Sequence, residues 1–155
     1  MKYFSIEEMC RSDKANELKI ANNPTGRIAD RIEETIECAL DSIREKFGSG
    51  VKVNSGFRCA AVNKAVGGSS TSAHTTGYAA DLVPMNGNMA AFQRCVLDWA
   101  TTHKFDQIIL EYPNAQHLSR WIHVGWKNNA GLQRAQILYT TNGKDYIPVP
   151  KEWRV

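Results

Sequence analysis

Residues 55–84 read SGFRCAAVNKAVGGSSTSAHTTGYAADLVP, from Ser55 to Pro84. The stretch sets one arginine, one histidine and one aspartate among glycines and small hydroxyl residues. It has few large apolar side chains, so it is a poor core element, and its polar groups are too specific for an ordinary connection. We read it as the larger part of a site. Ala60 to Val66 is a short helix stopped by Gly67-Gly68, and Tyr78 to Val83 is a strand ended by Pro84.

Upstream, Val51 to Ser55 alternates apolar and polar residues and reads as a strand that feeds this stretch. Downstream, Phe105 to Tyr112 and Trp121 to Trp126 read as two more strands, with a polar loop between them. Alternation puts Trp121, His123 and Gly125 on one face of the last strand, and Gln107, Ile109 and Glu111 on one face of the strand before it. If these two strands pair antiparallel, Glu111 faces the same cleft as His123.

His74, Asp81 and His123 together form a set suited to a metal. Neutral imidazole and carboxylate are common zinc ligands, and three protein ligands leave an open fourth position. His74 lies in a Ser-rich loop and Asp81 seven residues on, in the strand that loop feeds. A loop can fold the histidine back over its own strand, whereas a helix would hold the two about 10 Å apart. Each residue alone has a plainer reading, His123 as a hydrogen-bonded strand residue and Asp81 as a cap or ion-pair partner. Yet Asp81 sits between apolar neighbours, where an unpaired carboxylate is costly to bury.

The rest of the chain supplies the frame. Ser5 caps a short helix to Met9, with Glu8 at capping-box spacing, and a second short helix runs from Ser12 to Leu18. Asn22 to Gly26 is turn chemistry. Ile28, Ile32, Ile36, Leu40, Ile43 and Phe47 then recur at three- and four-residue intervals, which predicts one amphipathic helix of about five turns ended by Gly48. Asn88 caps a further helix to about His103, with Phe92, Cys95 or Val96, and Trp99 on its buried face. Gln136 to Thr140 is a strand, and Thr141 to Lys144 a hairpin turn leading to Tyr146-Ile147. Helices come first and strands later, so the fold is α+β: N-terminal helices packed on a small, mainly antiparallel sheet that carries the site. Residues 1–155 are read as one domain.

Three stretches carry a family resemblance. They are Ser55-Gly56-Phe57-Arg58, Ser72-Ala73-His74-Thr75-Thr76-Gly77-Tyr78-Ala79-Ala80-Asp81, and Trp121-Ile122-His123-Val124. Together they resemble the zinc D-Ala-D-Ala carboxypeptidase family, which includes L-alanyl-D-glutamate endopeptidases that cut peptidoglycan stems. The similarity runs from about Tyr3 to Trp126. It implies a Hedgehog/DD-peptidase-like fold, Zn2+ on His74, Asp81 and His123, and an Arg58 that contacts substrate or oxyanion. A guanidinium suits either partner. Many relatives place an acid three residues before the last histidine, where this chain has Arg120. Glu111 is the best substitute as general base, with His117 a weaker candidate and Asp106 a turn or supporting residue. Ser72 is read as hydrogen-bonding the site and Trp121 as part of the cleft wall. Ser70 and Thr76 are read as turn formers, since no Gly-x-Ser-x-Gly elbow is present. Carboxypeptidase and endopeptidase relatives share these residues, and loops such as Pro113 to Arg120 are expected to hold the specificity. The resemblance also admits two alternatives: a zinc-binding module without catalysis, as in the related Hedgehog signalling domain, and a virion component of the same fold.

Composition limits the remaining classes. Of 155 residues, 43% are hydrophobic and 23% charged, with a net charge of +3 and no basic run, so nucleic acid is not an expected partner. A peptidoglycan stem peptide is, bound by a monomer. No stretch is apolar enough to span a membrane. The first residues carry acids where a secretory leader has its apolar core, so the expectation is a chain of phage or bacterial origin made in the cytoplasm, acting either on the wall after release, as a phage-type lysis enzyme would, or in the cytoplasm as a recycling peptidase. Cys10, Cys38, Cys59 and Cys95 form no C-x-x-C pair and are expected to be reduced, with Cys38 and Cys95 as small core residues.

Overall fold

The computed structural model describes residues 1–154. Six strands form one mixed sheet: β1 (Val51–Ser55), β2 (Ala79–Pro84), β3 (Gln107–Glu111), β4 (Trp121–Gly125), β5 (Gln136–Thr140) and β6 (Ile147–Pro148). Their spatial order is β1-β2-β4-β3-β5-β6. Every neighbouring pair is antiparallel except β3 with β5, which is parallel. The fold is α+β.

The two-residue period of a strand divides this sheet into two faces. Ala80 and Leu82 of β2, Ile108 and Leu110 of β3, and Ile122 and Val124 of β4 all enter the core. The register aligns them, with Leu82 and Leu110 both opposite Ile122, and Ala80 and Ile108 both opposite Val124. The odd members, Asp81, Ile109, Glu111, Trp121 and His123, therefore share the other face. One sheet face makes the core and the other makes the site.

The helices cover the core face. α1 (Ile6–Cys10) and α2 (Asp13–Leu18) begin as expected: Ser5 Oγ accepts from Glu8 N at 3.1 Å and Ser12 Oγ from Ala15 N at 3.1 Å. The long scaffold helix is one continuous element but not one α-helix. It runs as α3 (Gly26–Thr35), a π-helical turn (Ile36–Leu40) and α4 (Asp41–Phe47), ended by Gly48 at φ 72°. The sequence contains the reason. Ile28, Ile32, Ile36 and Leu40 are three successive four-residue steps, each of which over-rotates an α-helical stripe by about 40°. A wider turn absorbs the surplus residue and keeps Ile32, Ile36, Leu40 and Ile43 on one buried face.

α5 (Ala60–Ala65) follows Arg58, and α6 (Met89–Trp99) is capped by Asn88 and ends four residues before His103. Phe92, Gln93, Val96, Leu97 and Trp99 are its buried members, and Cys95 is only half-buried. Cys38 is exposed, not a small core residue, because it stands two residues from both Ile36 and Leu40, about 200° round the helix from the buried stripe. No helix among the described residues is long and apolar enough to cross a membrane.

Candidate metal centre and its cleft

Register alone brings two of the three proposed ligands together, because Asp81 of β2 lies directly opposite His123 of β4. His123 Nδ1 is 3.1 Å from Asp81 Oδ1. His74 arrives from a 3-10 turn, Ala73–Thr76, and its Nε2 is 3.2 Å from the same oxygen. One donor atom from each residue lies within 4.8 Å of the other two. Ligands about 2.0–2.1 Å from a tetrahedral ion are about 3.3 Å apart, so two imidazoles and a carboxylate at these separations fit a zinc ion.

Local backbone chemistry aims the turn. Ser72 Oγ accepts from His74 N at 3.2 Å, and Gly77 closes the turn at φ 85°. Thr76 Oγ1 donates to Ala73 O, the local turn bond expected of it. His74 Nδ1 lies 2.7 Å from the Gly56 carbonyl oxygen, and Arg58 N donates to His74 O at 3.1 Å. The first and second motifs are therefore stitched together backbone to side chain. A proton on Nδ1 leaves the Nε2 lone pair facing the cluster, the arrangement that metal-binding histidines use. Burial pushes the His74 imidazole down from its ordinary pKa, with Asp81 opposing, so the ring is neutral. Burial alone would raise the Asp81 carboxyl, but His74 and His123 outweigh it and hold the carboxyl far below the usual range.

Arg58 is aimed by a residue that sequence reasoning overlooked. The amide of buried Asn22 donates to Cys10 O and Phe57 O, each at 2.9 Å, and its oxygen accepts from Cys59 N at 2.8 Å. This clamps the backbone on both sides of Arg58. The guanidinium reaches Ser72 Oγ through Nη2 at 3.4 Å, while its buried Nε has no hydrogen-bond partner among the described residues. Burial lowers its pKa, and the charges of Asp81 and Glu111 act the other way. A buried cationic donor without a partner is suited to an incoming anion.

Glu111 and Trp121 face each other across β3 and β4 on the site face, as the alternation predicted. The Glu111 carboxyl is pushed up to about 7, by burial first and the charge of Asp81 second, with His123 and Arg58 opposing. Trp121 packs against Tyr112 with ring centroids 5.4 Å apart, and its buried Nε1 has no partner among the described residues. Arg58, Ser72, His74, Asp81, Glu111, Trp121 and His123 all line one cleft of about 900 Å³.

His117 and Arg120 lie outside the cleft, whereas Asp106 lines it as a paired, supporting residue. His117 stacks on Trp153 at 4.1 Å and does not line the cleft. Arg120 sits over the Tyr112 ring at 5.3 Å. Asp106 is buried and takes a two-pronged ion pair from Arg134 at 2.8 and 2.9 Å. Residues 113–120 do not line the cleft; Val66 to Ala73 and Asn142 to Tyr146 hold that position instead. The hairpin residues were missed because their turn chemistry carries no sign of what the turn will cover.

A family model described as Peptidase M15 matches residues 2–125. No curated protein matches the chain.

Proposed function

The chain belongs to the Peptidase M15 family, and from that premise we propose that it is a zinc metallopeptidase that hydrolyses a peptide bond in the peptidoglycan stem. What supports this reading most is convergence on one sheet face. A His74–Asp81–His123 group able to hold a metal, an acid with its pKa near neutrality and an arginine with a free buried donor share one cleft.

His74, Asp81 and His123 hold the zinc ion. Zinc supplies Lewis acidity there, polarising a carbonyl and acidifying water. Glu111, on the site face of β3, accepts a proton from the attacking water and later gives it to the amine leaving group. The C–O bond forms first as the carbonyl π bond opens onto its oxygen; the C–N bond breaks when that π bond reforms and the amine takes the proton, which travels through one carboxylate. Arg58 places its guanidinium against the substrate carboxylate or the developing oxyanion. Trp121 offers its Nε1 proton to a peptide carbonyl and its ring to the peptide's apolar surface. Ser72 holds the guanidinium and the His74 turn in their mutual arrangement.

The test is hydrolysis of purified muropeptides by the zinc-loaded protein, with products read by mass spectrometry. Cleavage should disappear with chelator, return on adding zinc, and be absent in His74→Ala. Chelator-insensitive cleavage would sink the metal mechanism. Stoichiometric zinc without hydrolysis of any wall peptide would favour a binding module.

A further inference from the structure

The family match ends at residue 125, but the cleft does not. Asn128, Arg134, Asn142, Gly143, Lys144 and Tyr146 also line it. Strand direction explains how they reach it. β5 lies parallel to β3, with Gln107 opposite Gln136 and Glu111 opposite Thr140. The chain therefore leaves β5 at the end of the sheet where β3 delivers Glu111, and the β5–β6 connection turns over the site.

That connection is a built structure. Thr140 Oγ1 accepts from Gly143 N at 2.9 Å, and Asn142 Oδ1 accepts from Lys144 N and Asp145 N at 2.8 and 2.9 Å. Gly143 has φ 73°, and a β-carbon there would meet the Tyr112 hydroxyl at 2.9 Å. The Tyr146 hydroxyl donates to Gly143 O at 3.2 Å, and the residue lines the cleft while remaining 46% exposed. Burial and the charges of Glu111 and Asp81 all raise the Tyr146 phenol, which places it within electrostatic reach of both carboxylates. Arg134 is occupied by Asp106, whereas Lys144 has no ion-pair partner among the described residues.

Two cations with no ion-pair partner among the described residues, Arg58 and Lys144, thus line the cleft. Arg58 follows β1 at one edge of the sheet, and Lys144 follows β5 towards the other, with β2, β4 and β3 between. Four strand spacings make about 19 Å, shortened by the reach of both side chains. An extended peptide covers that distance with several residues, at about 3.4 Å each.

We propose that the hairpin Thr141–Tyr146 is the second substrate-reading wall of the cleft: Lys144 pairs with a carboxylate several residues from the one Arg58 takes, and Tyr146 lies over the peptide between them. The substrate class is then a stem peptide with two free carboxylates, held on both sides of an internal bond. This rests on the peptidase reading above.

Three synthetic stem peptides test it: the diacid and its two singly amidated forms. Lys144→Gln should lower kcat/KM on the diacid about tenfold through KM, with kcat kept. On one of the two amidated forms it should change less than twofold. Tyr146→Ala should likewise raise KM, and in a Glu111→Gln background the diacid should bind about tenfold more weakly when Lys144→Gln is added, by calorimetry. If the wild type cleaves the diacid and neither hairpin variant changes KM or Kd by twofold, the hairpin has no such role and the peptidase reading stands. Equal losses on all three peptides would mean a merely structural role and overturn the proposal. If the zinc-loaded wild type cleaves neither these peptides nor muropeptides, the peptidase reading fails and the hairpin's role with it.

Discussion

The Nδ1 atom of His74 lies 2.7 Å from the carbonyl oxygen of Gly56. That carbonyl is held because Gly56 packs directly on the Met9 backbone, and Phe57 N donates to Met9 O at 2.6 Å. A residue of the first motif thus sets the tautomer of a proposed metal ligand in the second, and α1 braces both.

Gly56→Ala should therefore weaken metal binding without touching a ligand. Its β-carbon would overlap the Met9 carbonyl and displace the Gly56 oxygen. We expect zinc affinity to fall about 10–100-fold, as for other losses of a ligand's hydrogen-bond partner, and stability by about 1–3 kcal/mol from overpacking. Competition with a chromophoric chelator and thermal unfolding measure the two. Unaltered zinc affinity in a folded variant would mean that the Gly56 carbonyl does not orient His74.

Glu111→Gln should keep stoichiometric zinc and lose turnover by about 10²–10⁴-fold, the range for removing a general base. Elemental analysis and steady-state kinetics separate the two effects. Retained turnover would leave proton transfer to water alone, since His117 stacks on Trp153 away from the cleft.

The same residue makes a prediction about the metal-free protein. Glu111 has a folded pKa raised from 4.5 to about 7. The folded state then holds a proton that the unfolded state releases, so its contribution is neutral below 4.5 and increasingly destabilising between 4.5 and 7. Glu111→Gln removes that penalty. The variant's Tm should match the wild type near pH 4.5 and exceed it near pH 8. Because the group is part-exposed, the effect is screened to about 1 kcal/mol, or about 2–4 °C. A Tm difference that does not grow with pH would show that Glu111 is not desolvated in the apo protein.

Arg58→Ala should lower kcat/KM about 10²–10³-fold, and Arg58→Lys should recover little of it, because an ammonium cannot reproduce a guanidinium's paired donors. Zinc content should not change in either. Full activity in Arg58→Lys would reduce the role to simple charge.

Much of the site was legible because it depends on short-range geometry. A strand's alternation already places Trp121 with His123 on one face of its strand and Glu111 with Ile109 on one face of its own; the antiparallel pairing of β3 with β4, conditional in the sequence, then turns both towards Asp81. The caps at Ser5, Ser12 and Asn88 are likewise local, since the side chain bonds a backbone N–H only three residues away.

What tertiary structure alone decided involves partners distant in sequence, or a choice among locally equal options. The apolar stripe from Ile28 to Phe47 fits one helix, and although its four-residue steps strain an α-helical stripe, packing the whole stripe against the core placed the π turn at Ile36–Leu40. Asn22 looked like turn chemistry until the chain returned 35 residues later to present Phe57 and Cys59 to its amide. Glu111 and His117 were both acids or bases near β4, and the fold separated them, one onto the site face and one onto Trp153. The parallel placement of β5 beside β3 had no local signal, yet it carries Lys144 and Tyr146 over the cleft. The sequence by itself determined the candidate metal-binding set, through residue chemistry and motif spacing, and the faces of single strands, because a strand's side-chain period is a property of the backbone. Only the tertiary structure decided what encloses them, because strand order and direction depend on burying the whole core at once.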